Sequence, residues 1–199
     1  ESRNGDEELV SAAKAGDDSA FRNLYVAHRA EVHRVVYRLL GPTADLEDVI
    51  QEVFLQVHKS IGNFRGQAKF STWLHRVAVN VALQHLRRKK TTIVSHADEH
   101  VNERPAGESE KTPLEEVEIQ DRLQAVYRAL DTLSPKKRTV LVMHDMQGMN
   151  AQKIAEVVGA PVFTIRTRLF YARREFYKKI VNEPAFAGDI DADELSRKK

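Results

Sequence analysis

Between Pro42 and Pro105 the chain carries no proline, and over most of that stretch apolar residues return every three or four positions. Proline fixes its own φ and removes an amide hydrogen, so a long proline-free stretch with this period folds at least cost as long helices. Only 9 glycines and 6 prolines occur in 199 residues, which sets aside sheet-rich and collagen-like classes. The expected fold is all-α, with two small helical domains joined by a flexible acidic linker.

The first domain is expected over residues 1–90 as four helices. Leu9, Ala12 and Ala13 begin a short one that Gly16 ends. Phe21, Leu24, Tyr25, Val32, Val35, Val36 and Leu39 mark one face of a second, stopped at Gly41-Pro42. A third, capped by Thr43 or Asp45, carries the stripe Leu46, Val49, Ile50, Val53, Phe54 and Val57 and is followed by Gly62. The fourth is expected from Ser71 to Arg88 on Trp73, Leu74, Val77, Ala78, Val81, Ala82 and Leu86.

From 91 to 111 the pattern collapses into acidic residues with Pro105 and Gly107, a composition that cannot offset its ordering entropy. It reads as a linker. Thr112-Pro113-Leu114-Glu115 is a capping box with proline at the first helical position, opening a second four-helix domain over 112–183. Ser134-Pro135 starts the next helix, expected to run until Gly148. Asn150 caps a short one ending at Gly159, and Pro161 leads into a last helix reaching about Val181. Residues 184–199 read as a disordered tail.

Zero cysteines exclude a disulfide scaffold, a thiolate zinc site and a thiol nucleophile, and they fit a reducing cytoplasm. No apolar run has the length of a membrane span, and the N-terminal residues lack a signal peptide's apolar core, so no membrane insertion is expected. The formal charge of +2 is too small to name a partner, so the distribution of charge must carry that argument.

Ala155 and Gly159, with Ile165 and Leu169 after them, give a short helix, a tight turn and a longer helix, the spacing of a helix-turn-helix. Outward positions of the longer helix carry Thr164, Arg166, Thr167, Arg168, Phe170, Tyr171, Arg173 and Arg174, suited to phosphates and base edges. A solvated helix in an ordinary bundle has the same spacing, and an autonomous helix-turn-helix regulator would look alike. A second basic surface joins Arg76, His85, Arg87, Arg88, Lys89 and Lys90 to the loop Asn63-Phe64-Arg65-Gly66-Gln67-Ala68-Lys69-Phe70, whose rings and cations suit unstacked bases. The alternative is a glycine turn that packs Phe64 and Phe70 inward. The third helix opens on Asp45, Glu47, Asp48 and Glu52, which repel DNA, so it is expected to face a protein.

His96-Ala97-Asp98-Glu99-His100 matches a zinc-hydrolase signature but sits in the linker without an apolar face or a further ligand, leaving a zinc hydrolase as a remote alternative. The other histidines, His28, His33, His58, His75, His85 and His144, are expected mostly at the surface. No glycine-rich phosphate loop or serine elbow is present, and neither cofactor, metal nor enzymatic activity is expected.

The runs Asp45-Leu46-Glu47-Asp48-Val49-Ile50-Gln51-Glu52-Val53-Phe54, Asn63-Phe64-Arg65-Gly66, Phe70-Ser71-Thr72-Trp73-Leu74 and Arg76-Val77-Ala78-Val79-Asn80 resemble region 2 of extracytoplasmic-function (ECF, group 4) sigma factors of the sigma-70 family. Leu133-Ser134-Pro135, Gln152 through Gly159, Thr164-Ile165-Arg166-Thr167-Arg168 and Ala172-Arg173 resemble region 4 of the same family. The resemblance covers about residues 6–181. It implies a non-enzymatic subunit that binds core RNA polymerase and directs promoter recognition.

By that resemblance, Asp45, Asp48, Gln51, Glu52 and Phe54 dock on the β′ clamp helices. Phe64, Arg65, Lys69, Ser71, Trp73, Arg76, Asn80, Arg87 and Arg88 recognise and open the -10 element, holding an extruded base. Thr164, Arg166, Thr167, Arg168, Phe170, Tyr171, Arg173 and Arg174 meet the -35 element, and region 4 also touches the β flap. An anti-sigma factor is the further partner implied. The sequence departs from the family pattern at Phe163, where glycine is usual, and at Tyr171, where a basic residue is common.

Overall fold

Helix punctuation by glycine and proline, read against apolar spacing, matches the observed architecture closely. The computed structural model describes residues 2–93 and 113–187. The rest of the expected linker, with His96 and His100, and the tail beyond 187 lie outside the described residues. No strand occurs among those described, and they form two compact units, one of the helices before the linker together with Ala155–Gly159, the other of the remaining residues after the linker.

The first unit comprises α1 (Ser2–Lys14), α2 (Asp18–Leu40), α3 (Leu46–Ser60) and α4 (Phe70–Ile93), with a 3₁₀ turn at Ile61–Asn63. Asp17 caps α2: its carboxylate accepts from the amides of Ser19 at 2.8 Å and Ala20 at 3.2 Å. The Ser19 hydroxyl and these amides hold its pKa below the ordinary value. At α3 the expected side-chain cap does not form, and Asp45 instead places its carboxylate 3.6 Å from His85. Helix α4 passes the expected end at Arg88 because nothing between Lys89 and Ile93 breaks it. Helices α2, α3 and α4 pack on one another and α1 lies against α2. Leu24, Val36, Leu39, Ile50, Val53, Leu74 and Ala82 fill the centre, nearly or fully sealed from solvent. Each large aliphatic side chain so buried contributes roughly 1.5–3 kcal/mol.

After the linker the chain forms α5 (Pro113–Asp131), α6 (Pro135–Leu141), α7 (Ala151–Val158) and α8 (Val162–Ile180), which make up the second unit apart from Ala155–Gly159. Ser134 caps α6 through the Lys137 amide, with Pro135 at the first helical position, and Asn150 caps α7 through the Lys153 amide at 2.9 Å. The helix expected to run on to Gly148 is α-helical only to Leu141; Val142–Met146 then wind as a π turn. Leu130, Leu133, Val140, Met143, Ile154, Ile165 and Ala172 are buried, with α6 and α5 packed on α8. Among the described residues Arg138 is a deeply buried cation, which pairs with Asp131 and lies 6.0 Å from the Tyr127 ring centre. Gly159 takes φ +65° in the α7–α8 turn, a conformation that side-chain-bearing residues rarely adopt. The tail expected from 184 opens with a 3₁₀ turn at Pro184–Phe186, whose Phe186 ring lies under Arg122.

Candidate nucleic-acid and protein interfaces

Residues of the basic surface expected on the first domain lie on one loop and along α4. In the 64–69 loop, Gly66 sits at φ +68°, which turns the chain so that Arg65, Gln67 and Lys69 stand exposed. Lys14 anchors the loop by donating to the Phe64 carbonyl at 2.8 Å. The Phe64 ring is half-buried, 5.3 Å from Trp73 and 5.9 Å from Phe70. Phe70 is buried and Trp73 half-buried. The inward packing of this glycine turn thus describes Phe70 fully and Phe64 in part. Along α4, Arg76, Asn80 and Arg87 stand exposed on one side of the helix, with Ser71 half-buried at its start. Arg88 is drawn across to Glu52 of α3, at 3.0 and 3.1 Å from its two oxygens.

A groove beside the loop is lined by Asp6, Glu7, Lys14, His28, Arg65 and Lys69. His28, expected at the surface, is only 8% exposed and reaches Asp6 at 3.1 Å and Glu31 at 3.5 Å. The Glu31 bond, with help from Asp6, raises its pKa above the ordinary imidazole value although burial acts the other way. Its ring also meets Phe70 at 5.3 Å. Sequence periodicity held one clue, since His28 lies four residues after Leu24 and four before Val32, on the buried stripe of α2.

The acidic helix presents Asp48 and Gln51 to solvent, with Asp45 exposed before it and Glu52 half-exposed. Glu47 is bridged to Arg29 of α2 at 2.8 Å. Phe54 does not share this surface: it is 6% exposed and meets the Tyr25 ring at 4.5 Å, as its place in the apolar stripe dictates. The exposed apolar residue of that face is Leu55, 60% open to solvent and one helical turn beyond Gln51 and Glu52. Sequence reasoning passed over it, although an apolar residue off the buried stripe was the available signal.

On α8, Ile165, Leu169, Ala172 and Ile180 turn inward. Arg166, Thr167, Phe170, Tyr171 and Arg174 turn outward, with Thr164, Arg168 and Arg173 half-buried. Two of the candidates are engaged by neighbours. Arg173 binds Asp145 in the π turn, its Nε donating at 3.0 Å, and also meets His144. Burial works against the Asp145 charge, but the Arg173 and His144 contacts prevail and hold its carboxyl below the usual range. Tyr171 has the Lys137 ammonium 5.9 Å from its ring centre, and Lys137 pairs in turn with Glu175. Among the described residues no group of three or more histidines and carboxylates is arranged to hold a metal ion, and no helix is long and apolar enough to cross a membrane.

The family model described as Sigma-70 region 2 matches residues 24–92, and that described as Sigma-70, region 4 matches residues 123–176. The chain is 31% identical over 180 residues to the RNA polymerase sigma-H factor of Pseudomonas aeruginosa, covering 88% of this chain and 93% of that protein. It is equally similar, at 31% over 180 residues, to the ECF RNA polymerase sigma-E factor of Escherichia coli K12, covering 94% of it. Among solved structures, that of CnrH in complex with the cytosolic domain of CnrY matches 88% of this chain and 96% of its own at a TM-score of 0.59 and 22% identity, a likeness of fold. With both domain models matched in order and relatives aligned along nearly their whole length, the chain belongs to the extracytoplasmic-function sigma factors of the sigma-70 family.

Proposed function

We propose that this protein is a dissociable, non-enzymatic subunit that confers promoter choice on core RNA polymerase in the cytoplasm. The observation that carries the reading is the division of labour between surfaces: an acidic, Leu55-bearing face on α3 and a cation-rich face on α8, each on its own small core. The α3 face, through Asp45, Asp48, Gln51, Glu52 and Leu55, docks on the β′ clamp helices, its acidic groups setting orientation against cationic groups of the partner. The 64–71 loop and the α4 face, with Trp73, Arg76, Asn80, Arg87 and Arg88, take the -10 element and hold its extruded base. Exposed polar groups beside a ring cluster suit a base that has left its stack. Helix α8 enters the -35 major groove, and the second unit touches the β flap.

Matches to regions 2 and 4, over 24–92 and 123–176, support group 4, and the domains are assigned as region 2 over 1–90, a linker over 91–111 and region 4 over 112–183. An anti-sigma factor is the expected regulator. The test is reconstitution: core polymerase mixed with this chain should yield run-off transcript from promoters selected out of a library randomised at both elements. Sequence-specific binding to duplex DNA without any affinity for core polymerase would instead mark an autonomous regulator.

A further inference from the structure

The outward face of α8 is not uniformly cationic. Successive residues of a helix are about 100° apart around the axis, which places Phe163, Thr167, Phe170 and Arg174 in one central stripe, opposite buried Ile165 and Ala172. Phe163 is 79% exposed and Phe170 60% exposed, the Phe170 ring meeting Tyr171 at 5.3 Å. Arg166 and Arg173 flank the stripe on one side and Tyr171 on the other. The helix carries Arg166, Arg168, Arg173, Arg174, Lys178 and Lys179 against a single acid, Glu175, which Lys137 engages. A polyanion is the occupant this charge selects. What the phenylalanines can contact inside a polyanion's groove is narrower. The major-groove edges of base pairs offer hydrogen-bonding groups, which suit arginine, and one apolar group, the 5-methyl of thymine, which suits Phe and the methyl of Thr.

We infer that Phe163, with Thr167 and Phe170 behind it, reads thymine methyl groups in the upstream promoter element, making A·T pairs rather than guanines the specificity-bearing positions along this stripe. This inference rests on α8 entering the -35 groove. Phe163 and Phe170 are separated by about 10 Å along the axis at 1.5 Å per residue. That is about three base steps at 3.4 Å each, so the two rings address separate base pairs. Phe163 stands at the N-terminal end of α8, the part of a recognition helix that reaches base edges.

The test uses the holoenzyme on a promoter duplex in which each -35 thymine is replaced singly by deoxyuridine, which removes the methyl and changes no hydrogen-bonding group. Binding should fall about fourfold at one thymine or more, the worth of one buried methyl-sized group. Phe163→Ala should bind the parent duplex more weakly and no longer distinguish thymine from uracil at one of those positions. The exposure of Phe163 makes this replacement harmless to the fold. A holoenzyme that still prefers its -35 element to a scrambled one, yet binds thymine and uracil duplexes alike, would overturn the methyl reading alone. Indifference to scrambling would overturn it together with the placement of α8 on DNA. Weaker binding of Phe163→Ala to core polymerase, with the thymine preference intact, would assign the ring to the polymerase instead.

Discussion

His28 is enclosed by Asp6 from α1, Glu31 from its own helix and the Phe70 ring from α4, with His75 acting on Glu31. Its raised pKa means that the folded chain holds the proton more tightly than the unfolded one, so this stabilisation is present in mild acid and is lost as pH rises through the folded value. His85 behaves oppositely. Burial lowers its pKa against the pull of Asp45, so its contribution weakens as pH falls. Urea midpoints of the first unit, followed from about pH 5.5 to 8 across the ordinary imidazole range, should therefore separate the two. His28→Gln should make stability rise more steeply with pH, and His85→Gln should make it fall. Identical slopes for both variants would show that neither histidine is coupled to folding. Among the sequence readings, this cluster was illegible as a site because its carboxylates come from two helices and meet only after α1 has packed.

Helix α3 owes its use to the fact that burial is confined to one side. Asp48→Lys or Leu55→Asp should leave the melting curve close to that of the parent, since exposed positions contribute little to stability. Either should weaken core polymerase binding about tenfold, or 1.4 kcal/mol, in a competition assay. On α8 the same reasoning divides the arginines. Arg166→Ala should relax preference at one base pair and cost roughly 1–3 kcal/mol there. Arg174→Ala should weaken all promoters alike with a shallower salt dependence, which filter binding over a salt series resolves. Arg173, adjacent to Arg174 in sequence, is expected to behave differently because Asp145 fixes it. Its loss should lower the stability of the second unit as well as DNA affinity. Helix starts and stops were legible wherever glycine, proline or a capping side chain falls between apolar stripes, as at Gly16, Gly41 and Ser134, whereas the Asp17 cap emerges only in the structure. The π turn was not, because a one-residue change of winding leaves the apolar pattern nearly untouched and reveals itself only in which carbonyl each amide meets: Gln147 N–H to Val142 and Met149 N–H to Met143.

In the whole molecule, each unit has its own core, and a cavity in one should leave the other's interior filled. Leu74→Ala and Ile165→Ala each remove a buried aliphatic side chain and should each cost about 2–5 kcal/mol. Calorimetry of the intact chain should show Leu74→Ala lowering one component of the unfolding endotherm and Ile165→Ala the other. A single transition moved equally by both would contradict two folding units. The division into two helical domains was the most legible feature of the sequence, since a run without apolar period separates two runs that have one. The residues that face outward were less so, because a helical stripe names what is buried and leaves the open face undifferentiated between docking, DNA contact and simple hydration.

The π turn at Val142–Met146 has a consequence for how this protein can change over generations. It amounts to one residue more than an α-helix would accommodate over the same span. Deleting a single residue there would let regular winding resume and swing Asp145 by about 100° around the axis, away from Arg173. Inserting one would turn it as far the other way. Substitutions can accumulate along this segment, but its length is fixed to the residue: gaps in an alignment of descendants should fall to either side of it and never within.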